Sequence, residues 1–336
     1  MKYSAIFRVF VACTILAGLM MGCSSQTKID NDIINRVIEQ GPYNLVTGTE
    51  NFAHNGEISI WYEVRMPDSA PRGTVILVMG VTQTALLWPS YFMEPLLAAG
   101  FRVIRFDNRE AGLTTWTENS KSSQPYSLAD MGDDAIAILD TEGIDKAHVI
   151  GLSMGGVIAQ QIVARHPSRA SSFTSLNSMP VLEPVPTSLL LKMVWPTLLY
   201  GWQNSERSEI KYDIALHSVM NGKGDHPPQV ERHANRVLYE MRYRQGRNPA
   251  AIANQGTALA QEAANDIDLS KISVPTLIIH GKLDPAIPFD LGGPATAKLI
   301  SHANTLWIED MGHGFSEAHS VLIVDALIGL FESTLD

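Results

Sequence analysis

One serine of this chain lies in the setting of a catalytic nucleophile. Ser153 is the centre of the run Gly151-Leu152-Ser153-Met154-Gly155, which follows an apolar segment typical of a strand and precedes a segment with helical periodicity. In a Gly-x-Ser-x-Gly turn between a strand and a helix, the serine hydroxyl is exposed at the end of the strand. The flanking glycines allow strand and helix to approach closely, because neither carries a Cβ atom. The alternative is a chance turn with a capping serine, and the strand–helix context favours the nucleophile.

A serine needs a base to take its proton, and the base needs an acid to orient it. Asp284 follows the apolar segment 275–280 after a short loop, and His313 lies between two glycines after the apolar segment 305–308. In an open parallel sheet, residues that follow different strands converge at the edge where the strands end. Alone, Asp284 is a common turn former and His313 a common loop residue. In the order Ser…Asp…His they predict a Ser-His-Asp triad with Ser153.

Two backbone amides are predicted to stabilise the negative charge that develops on a substrate carbonyl. One is the N–H of Met154, because the residue after the nucleophile supplies this donor in strand–turn–helix sites. The other is the N–H of Val81, which follows an early apolar segment and a glycine, Gly80, that lets the backbone turn inward. Gln83 is a further candidate donor, and it fits equally well as a polar residue at the start of a helix.

The rest of the chain alternates strand and helix patterns that would bring these residues together. Asn55-Gly56 is a strong hairpin signal, and the apolar alternation after it predicts an antiparallel hairpin at the start of the sheet. Short apolar runs separated by helical spacers, among them a predicted helix over 128–139, indicate a mostly parallel, doubly wound α/β sheet. The predicted strands after the hairpin are residues 75–79, 103–106, 148–150, 173–176, 276–279 and 305–308.

Several of these segments resemble α/β-hydrolase-fold serine hydrolases. The segments that carry the resemblance are Val78-Met79-Gly80, residues 106–114, residues 151–156, residues 280–285 and residues 311–314. The Met-Gly turn, with Trp88-Pro89 after it, is similar to that of the esterases grouped with aclacinomycin methylesterase. The similarity covers about residues 52–180 and 265–332. Two positions depart from the family pattern: Gly80-Val81 replaces a common His-Gly pair, and Glu110-Ala111 departs from the usual Asp-x-Arg-Gly.

The resemblance implies a serine esterase that cleaves small-molecule carboxylic esters through an acyl-enzyme and uses no cofactor. The same triad serves acyltransferases, peptidases and lactonases, because this fold hosts many activities. These activities stay open as alternatives. A hydrolase-fold binding protein with little turnover is the alternative from another class of function.

The residues between the two halves of the predicted sheet have a different pattern. Residues 181–264 begin with an apolar stretch broken by prolines and continue with polar, arginine-containing helical patterns. The resemblance places a helical cap here, over the active site. Its apolar residues are expected to shape the substrate pocket or simply to pack the cap onto the core.

Composition excludes several classes of function. The 336 residues are 45% hydrophobic and 18% charged, and the net charge of −10 leaves no basic patch for nucleic acid. The ten histidines show no spacing typical of a metal site, so no metal is expected. His280 is expected to be a packed strand histidine, whereas His217, His226 and His233 at most line the pocket.

The N-terminus is typical of an exported lipoprotein. Lys2 and Arg8 precede a short apolar run that ends in Leu19-Met20-Met21-Gly22-Cys23, which resembles a bacterial lipobox. Cleavage would leave Cys23 as the lipidated first residue and change the net charge to −12. The two serines after it indicate the outer membrane, so membrane lipid is the expected partner in the bacterial cell envelope. The alternatives are a plain signal peptide cut elsewhere and a retained anchor.

These patterns give a complete domain plan. Residues 1–22 are predicted to be a signal peptide, and residues 23–50 a lipid-anchored tether in which a helix over 34–39 acts as a spacer. Residues 51–180 and 265–336 form the catalytic core, and residues 181–264 form the cap.

Overall fold

The structure of the chain is a computed structural model. It describes residues 29–117, 126–180, 187–201, 205–221, 229–262 and 267–335. The predicted signal segment 1–22 and Cys23 lie outside these residues, as does His226, so the processing and lipidation of the N-terminus stay predictions.

An eight-stranded sheet forms the centre of the fold. Its strands are β1 (Thr49–Asn55), β2 (Ile58–Arg65), β3 (Gly73–Val78), β4 (Phe101–Phe106), β5 (Ala147–Leu152), β6 (Ala170–Leu176), β7 (Thr276–Gly281) and β8 (Asn304–Ile308). The order across the sheet is β1-β2-β4-β3-β5-β6-β7-β8. The pairs β1/β2 and β2/β4 are antiparallel, and all later neighbours are parallel. The predicted edge hairpin and doubly wound, mostly parallel sheet are confirmed.

Helices cover both faces of this sheet. The helices of the described ranges are α1 (Asn31–Gln40), α2 (Ser90–Ala98), α3 (Leu128–Thr141), α4 (Met154–Arg165), α5 (Thr187–Tyr200), α6 (Glu206–Asn221), α7 (Val230–Tyr243), α8 (Ala251–Glu262), α9 (Gly293–Leu299) and α10 (Glu317–Glu332). Helices α3 and α4 contribute to the hydrophobic cluster on one face, and α2 and α10 to the cluster on the other.

Strand β3 shows how the sequence assigns side chains to the two faces. Ile76 and Val78 pack into the cluster beneath α3 and α4, whereas Val75 and Leu77 pack into the cluster beneath α2 and α10. Successive side chains of a strand point to opposite faces of the sheet. Because both faces of the sheet are covered by helices, the sequence of β3 is a continuous apolar run and does not alternate between apolar and polar residues.

Helix α3 begins where the sequence predicts it and extends two residues further. The hydroxyl of Ser127 accepts a hydrogen bond from the backbone N–H of Asp130, and the carboxylate of Asp130 accepts one from the backbone N–H of Ser127. This reciprocal capping box satisfies two N–H groups that a helix start otherwise leaves without partners. The helix then packs against α4, which follows the serine turn.

The cap consists of α5 to α8, inserted between β6 and β7. Helices α6 and α7 share a small hydrophobic cluster separate from the main core, which includes Ile210, Ile214 and Leu238. Helix α8 instead reaches the main core, where the side chain of Ala258 is fully buried.

The segment expected to be a spacer is part of this cap. Ile34 and Val37 of α1 are 0% and 3% exposed and belong to the same hydrophobic cluster as α6 and α7. The helix expected over 34–39 as part of a spacer therefore packs on the cap, because the apolar face of this amphipathic helix is buried there. Among the helices of the described residues, none is long and apolar enough to cross a membrane.

Candidate active site

The serine turn joins β5 to α4 in a tight strand–turn–helix unit. Ser153 lies between them with φ 58° and ψ −125°. Residues other than glycine rarely adopt this backbone conformation, which costs about 1–3 kcal/mol. A Cβ atom on Gly151 would lie 2.1 Å from the carbonyl oxygen of Gly155, and one on Gly155 would lie 2.2 Å from the carbonyl oxygen of Val78. The motif needs both glycines because the backbones touch at these positions.

The structure brings the three predicted triad residues together. The Ser153 hydroxyl donates to Nε2 of His313 across 3.0 Å, and Nδ1 of His313 lies 2.8 Å from Oδ2 of Asp284. Asp284 is 6% exposed and His313 9% exposed. In this arrangement the carboxylate orients the imidazole and fixes its tautomer, and the imidazole can accept the serine proton.

The loop after β7 holds the carboxylate of Asp284 in place. Its Oδ1 atom accepts hydrogen bonds from the backbone N–H groups of Ala286 at 2.8 Å and Ile287 at 2.9 Å. His280, on the strand, donates from Nε2 to the carbonyl oxygen of Ile287 at 3.0 Å and is fully buried. Burial lowers the pKa of His280, so its ring stays neutral. His280 is thus a hydrogen-bonded strand histidine.

Asn177 holds the site together, although its local sequence does not predict this role. Its Nδ2 group donates to the carbonyl oxygens of Gly312 at 3.1 Å and His313 at 2.8 Å, and its Oδ1 accepts from the N–H of Gly281 at 2.8 Å. One fully buried amide therefore ties the loop that carries the base to the end of the strand that leads to the acid. The available signal was a polar residue directly after an apolar strand, β6.

The two predicted oxyanion donors flank Ser153. Met154 begins α4, and Val81 follows Gly80, where an added Cβ would lie 3.2 Å from the Cβ of Ser153. Thr82, the next residue, has φ 60°, and its N–H donates to Oε1 of Gln255. The backbone at Val81 is thus held between the serine turn and a cap side chain, with its neighbour's amide already engaged.

The carboxylate of Asp107 has a structural position. It is fully buried and accepts hydrogen bonds from the backbone N–H groups of Ala85 at 2.8 Å and Leu113 at 3.0 Å. It also pairs with Arg244, which follows α7 and stacks on the ring of Trp61. Asp107 therefore joins the core to the cap.

Glu110 stands where the family pattern has glycine, and it takes the backbone conformation of a glycine. Its φ is 71°, in the left-handed region. The carboxylate accepts hydrogen bonds from Thr117 and, at 2.9 Å, from Nδ2 of Asn248 in the cap. These contacts offset part of the cost of placing a side chain in this region, which favours glycine.

A cavity of about 250 Å³ lies beside the Ser153–His313 pair, between core and cap. Its walls include Leu152, which precedes Ser153, and the two glycines that flank His313. Its other described lining residues are Met79, Leu87, Trp88, Pro89, Tyr91, His217, Asn221, Gln229, Arg232, His233, Phe315, Ser316, Glu317, Ala318 and His319.

The described part of the cap wall comes from two helices. The cap residues of the described lining lie on α6, on α7 and directly before α7. The side chains of residues 181–193, in the apolar stretch at the start of the cap, lie outside the described part, so a role of this stretch in the pocket stays a prediction. Helix α6 contacts the loop of the predicted base, since the N–H of His313 donates to the carbonyl oxygen of Met220 at 3.3 Å. On α5, by contrast, Trp195 and Leu198 are exposed.

One group of side chains in the described residues has the composition of a metal site. Possible ligand atoms of Asp213, His217 and His233 lie within 4.8 Å of one another. Sequence spacing did not indicate this group, because His233 comes from a second helix. The carboxylate of Asp213 already pairs with the buried guanidinium of Arg236. A bound cation would have to displace or face that positive charge, so these residues fit a metal ion poorly.

Comparison with known proteins agrees with this geometry. Residues 73–319 match the family described as the alpha/beta hydrolase fold. The chain is 27% identical over 283 residues to rhodomycin D methylesterase of Streptomyces peucetius. This alignment covers 77% of the present chain and 90% of that enzyme. It is 26% identical over 223 residues to a pimeloyl-[acyl-carrier protein] methyl ester esterase of Edwardsiella ictaluri, covering 65% and 78%.

A solved structure gives the same result for the fold. A meta-cleavage product hydrolase from Pseudomonas fluorescens superposes with a TM-score of 0.64 at 21% identity, covering 86% of this chain and 99% of that one. At this identity the likeness concerns the fold alone. The family match covers well over half of the chain and includes the serine turn, the acid loop and the base loop. The chain therefore belongs to the alpha/beta hydrolase fold family.

Proposed function

We propose that this protein hydrolyses carboxylic esters of small molecules through an acyl-enzyme. The observation that carries the proposal is the continuous hydrogen-bond chain from Ser153 through His313 to Asp284. Relatives named as methyl ester esterases support the ester as the substrate group.

Each residue of the site has a role in this reaction. Ser153 attacks the ester carbonyl while Nε2 of His313 takes its proton, and the imidazolium then returns that proton to the departing alcohol. Asp284 holds the imidazole and stabilises its positive form. The amides of Val81 and Met154 donate to the oxyanion of the tetrahedral intermediate. Water, activated by His313, then releases the acid from Ser153.

Replacement of the nucleophile tests this mechanism. Ser153→Ala is expected to lower kcat for p-nitrophenyl acetate by about 10⁴-fold or more, because no other group forms the acyl-enzyme. A fluorophosphonate probe is expected to label the wild-type chain once, at Ser153, as located by peptide mass analysis. The matched control is Ser333→Ala, near the end of the last helix, which is expected to retain turnover and labelling. Wild-type turnover in the Ser153→Ala variant would overturn the proposal.

We also propose that the protein is a lipoprotein of the outer membrane, with Cys23 acylated. The lipobox-like run before Cys23 supports this. Several acyl chains, at about 0.8 kcal/mol per buried methylene, hold a protein stably on a bilayer, whereas one chain is marginal.

Intact-mass analysis of the membrane fraction tests the anchor. The mature chain is expected to start at Cys23 with added lipid mass and to incorporate a palmitate analogue. Cys23→Ser is expected to leave unprocessed or soluble protein, whereas Cys13→Ser, inside the signal, is expected to change neither mass nor location. A mature start at another residue without lipid would contradict the proposal.

A further inference from the structure

Among the described residues, Arg232 is a cation of the cavity wall without an acidic partner. Its Nη1 atom lies 3.5 Å from the carbonyl oxygen of Leu87, and its guanidinium lies 5.7 Å from the ring centroid of Tyr91. Its Nε atom is buried and has no hydrogen-bond partner among the described residues. Within the same residues, no carboxylate oxygen lies within 4.0 Å of this guanidinium.

The neighbouring arginine shows what Arg232 lacks. Arg236, one turn later on α7, pairs with Asp213 and with both carboxylate oxygens of Glu240 at 3.1 Å. The guanidinium of Arg236 thus engages the buried Glu240 and the partly buried Asp213, and Asp213 acts on Arg232 only from a longer distance. Burial and the charge of Arg236 lower the pKa of Arg232, yet an arginine stays protonated at neutral pH.

Arg232 is partly buried, and its buried Nε donor has no acceptor among the described residues. Partial removal of a charged group from water without a counter-ion is unfavourable, and a hydrogen-bond donor left without an acceptor adds to the cost. The planar guanidinium presents two parallel N–H groups, which match the two oxygens of a carboxylate. Arg232 lines the same cavity as Leu152, Gly312 and Gly314. Leu152 precedes the proposed nucleophile, and the two glycines flank the proposed base.

We infer that this cavity binds substrates with a second, free carboxylate, namely the monoesters of dicarboxylic acids, and that Arg232 binds that carboxylate. The inference rests on the proposed function. The ester end lies at Ser153, where the bond from the carbonyl carbon to the alcohol oxygen breaks and a bond to the serine oxygen forms. The alcohol leaves with the serine proton, and water then releases the dicarboxylate from Ser153.

The other charged groups at the cavity are compatible with an anion at Arg232. Glu317 is exposed at the lining, where water screens its charge. His233 donates from Nδ1 to Asp213, and burial lowers the pKa of His233 to about 3, so the ring is neutral. His319 is hydrogen-bonded to Asp310. Arg232 is the arginine of the described lining, which contains no lysine.

Paired substrates test the inference. The full-length enzyme is assayed with monomethyl esters of dicarboxylic acids of three to nine carbons and with the matching dimethyl esters. The readout is the ratio of kcat/KM for the charged ester to that for the neutral one. Arg232→Gln is expected to lower this ratio about 10- to 100-fold, mainly through KM, and Arg232→Lys is expected to lower it less. Arg242→Gln, in an exposed ion pair on the same helix, is the control and is expected to leave the ratio unchanged.

A binding measurement separates this inference from the proposed function. Free dicarboxylates of the same lengths are titrated into the wild type and the Arg232 variants by calorimetry, with monocarboxylates as controls. Tighter binding of a dicarboxylate that Arg232→Gln weakens would support the subsite even if no ester were cleaved. An absence of turnover with p-nitrophenyl acetate would count against the proposed function alone. An unchanged selectivity ratio in Arg232→Gln, or a wild type that prefers neutral esters and binds no dicarboxylate, would overturn the inference.

Discussion

At the scale of single residues, the two oxygens of Asp284 have separate partners. Oδ1 accepts from two backbone amides of its own loop, and Oδ2 faces His313. The loop therefore fixes which oxygen points to the imidazole. The effect of replacing Asp284 by asparagine is therefore predictable, because only the oxygen of the asparagine side chain can accept hydrogen bonds from the two backbone N–H groups.

Asp284→Asn is expected to lower kcat about 10³- to 10⁴-fold with little change in the stability of the fold. The side-chain oxygen stays with the two backbone amides, so the NH₂ group faces Nδ1 of His313 and favours the tautomer that cannot accept the proton of Ser153. Steady-state kinetics with a p-nitrophenyl ester measure the effect. The control Glu309→Gln alters an exposed carboxylate that pairs with Lys282, and it is expected to be nearly silent. Equal losses of kcat in the two variants would show that Asp284 is not the acid of the triad.

The sequence indicated some of these residues and not others for a physical reason. Ser153, Asp284 and His313 each follow an apolar strand and stand among glycines or turn formers, so their local sequences are distinctive. Asn177 and Gln255 act through hydrogen bonds to residues more than 100 positions away. No spacing or neighbouring residue marks such long-range contacts, so only the folded chain reveals them.

At the scale of elements, the cap and the early turn of the core are joined by one buried amide. Gln255 of α8 is 0% exposed; its Oε1 accepts from the N–H of Thr82, and its Nε2 donates to the carbonyl oxygen of Arg109 at 2.7 Å. The turn that carries Val81 is therefore held by the cap as well as by the core. A change in the cap can then alter the position of the proposed oxyanion donor, the N–H of Val81, without contact to the substrate.

Gln255→Leu is expected to lower kcat about tenfold or more with a smaller change in KM. Removal of both hydrogen bonds frees the turn, and a displaced donor loses stabilisation that is realised mainly in the transition state. Gln255 is a positioning residue, so the split between kcat and KM is the decisive readout. Thr257→Val, on the exposed side of the same helix, is the control. A loss of thermal stability with unchanged kcat would contradict this role.

The strands were predictable to within a few residues, whereas the packing of the cap was not. The inner strands are covered on both faces, which favours uninterrupted apolar runs such as 75–79 and 277–279. Helix α1 was expected over 34–39 and extends over Asn31–Gln40. Its packing against the cap helices was not predicted. Two apolar residues on one helical face indicate that something covers them and do not identify the covering surface.

At the scale of the whole molecule, buried neutral histidines connect stability to pH. His148 of β5 is 2% exposed, lies 2.9 Å from the hydroxyl of Ser172 and stacks on Phe331 at 4.0 Å. Burial lowers the pKa of His148 from 6.5 to about 4. Between these pH values the unfolded chain binds a proton that the folded chain does not, so the free energy of unfolding falls as the pH falls.

The protein is therefore expected to lose roughly 3 kcal/mol of stability through His148 as the pH falls from 6.5 to 4. Denaturant unfolding at a series of pH values measures this. His148→Asn is expected to be less stable at pH 7 and to have a pH slope that is smaller by up to one proton. The exposed His54→Asn variant is the control and is expected to keep the wild-type slope. An unchanged slope in His148→Asn would show that the ring is not held neutral.

The packing of α1 on the cap determines how far the enzyme can reach if Cys23 is lipidated. Seven residues separate Cys23 from the start of α1 at Asn31, and a fully extended chain of that length spans about 25–30 Å. The catalytic body would then work within a thin layer beside the bilayer, with its cap end nearest to the lipid. Esters released at the membrane surface would meet the enzyme more often than esters dissolved throughout the compartment.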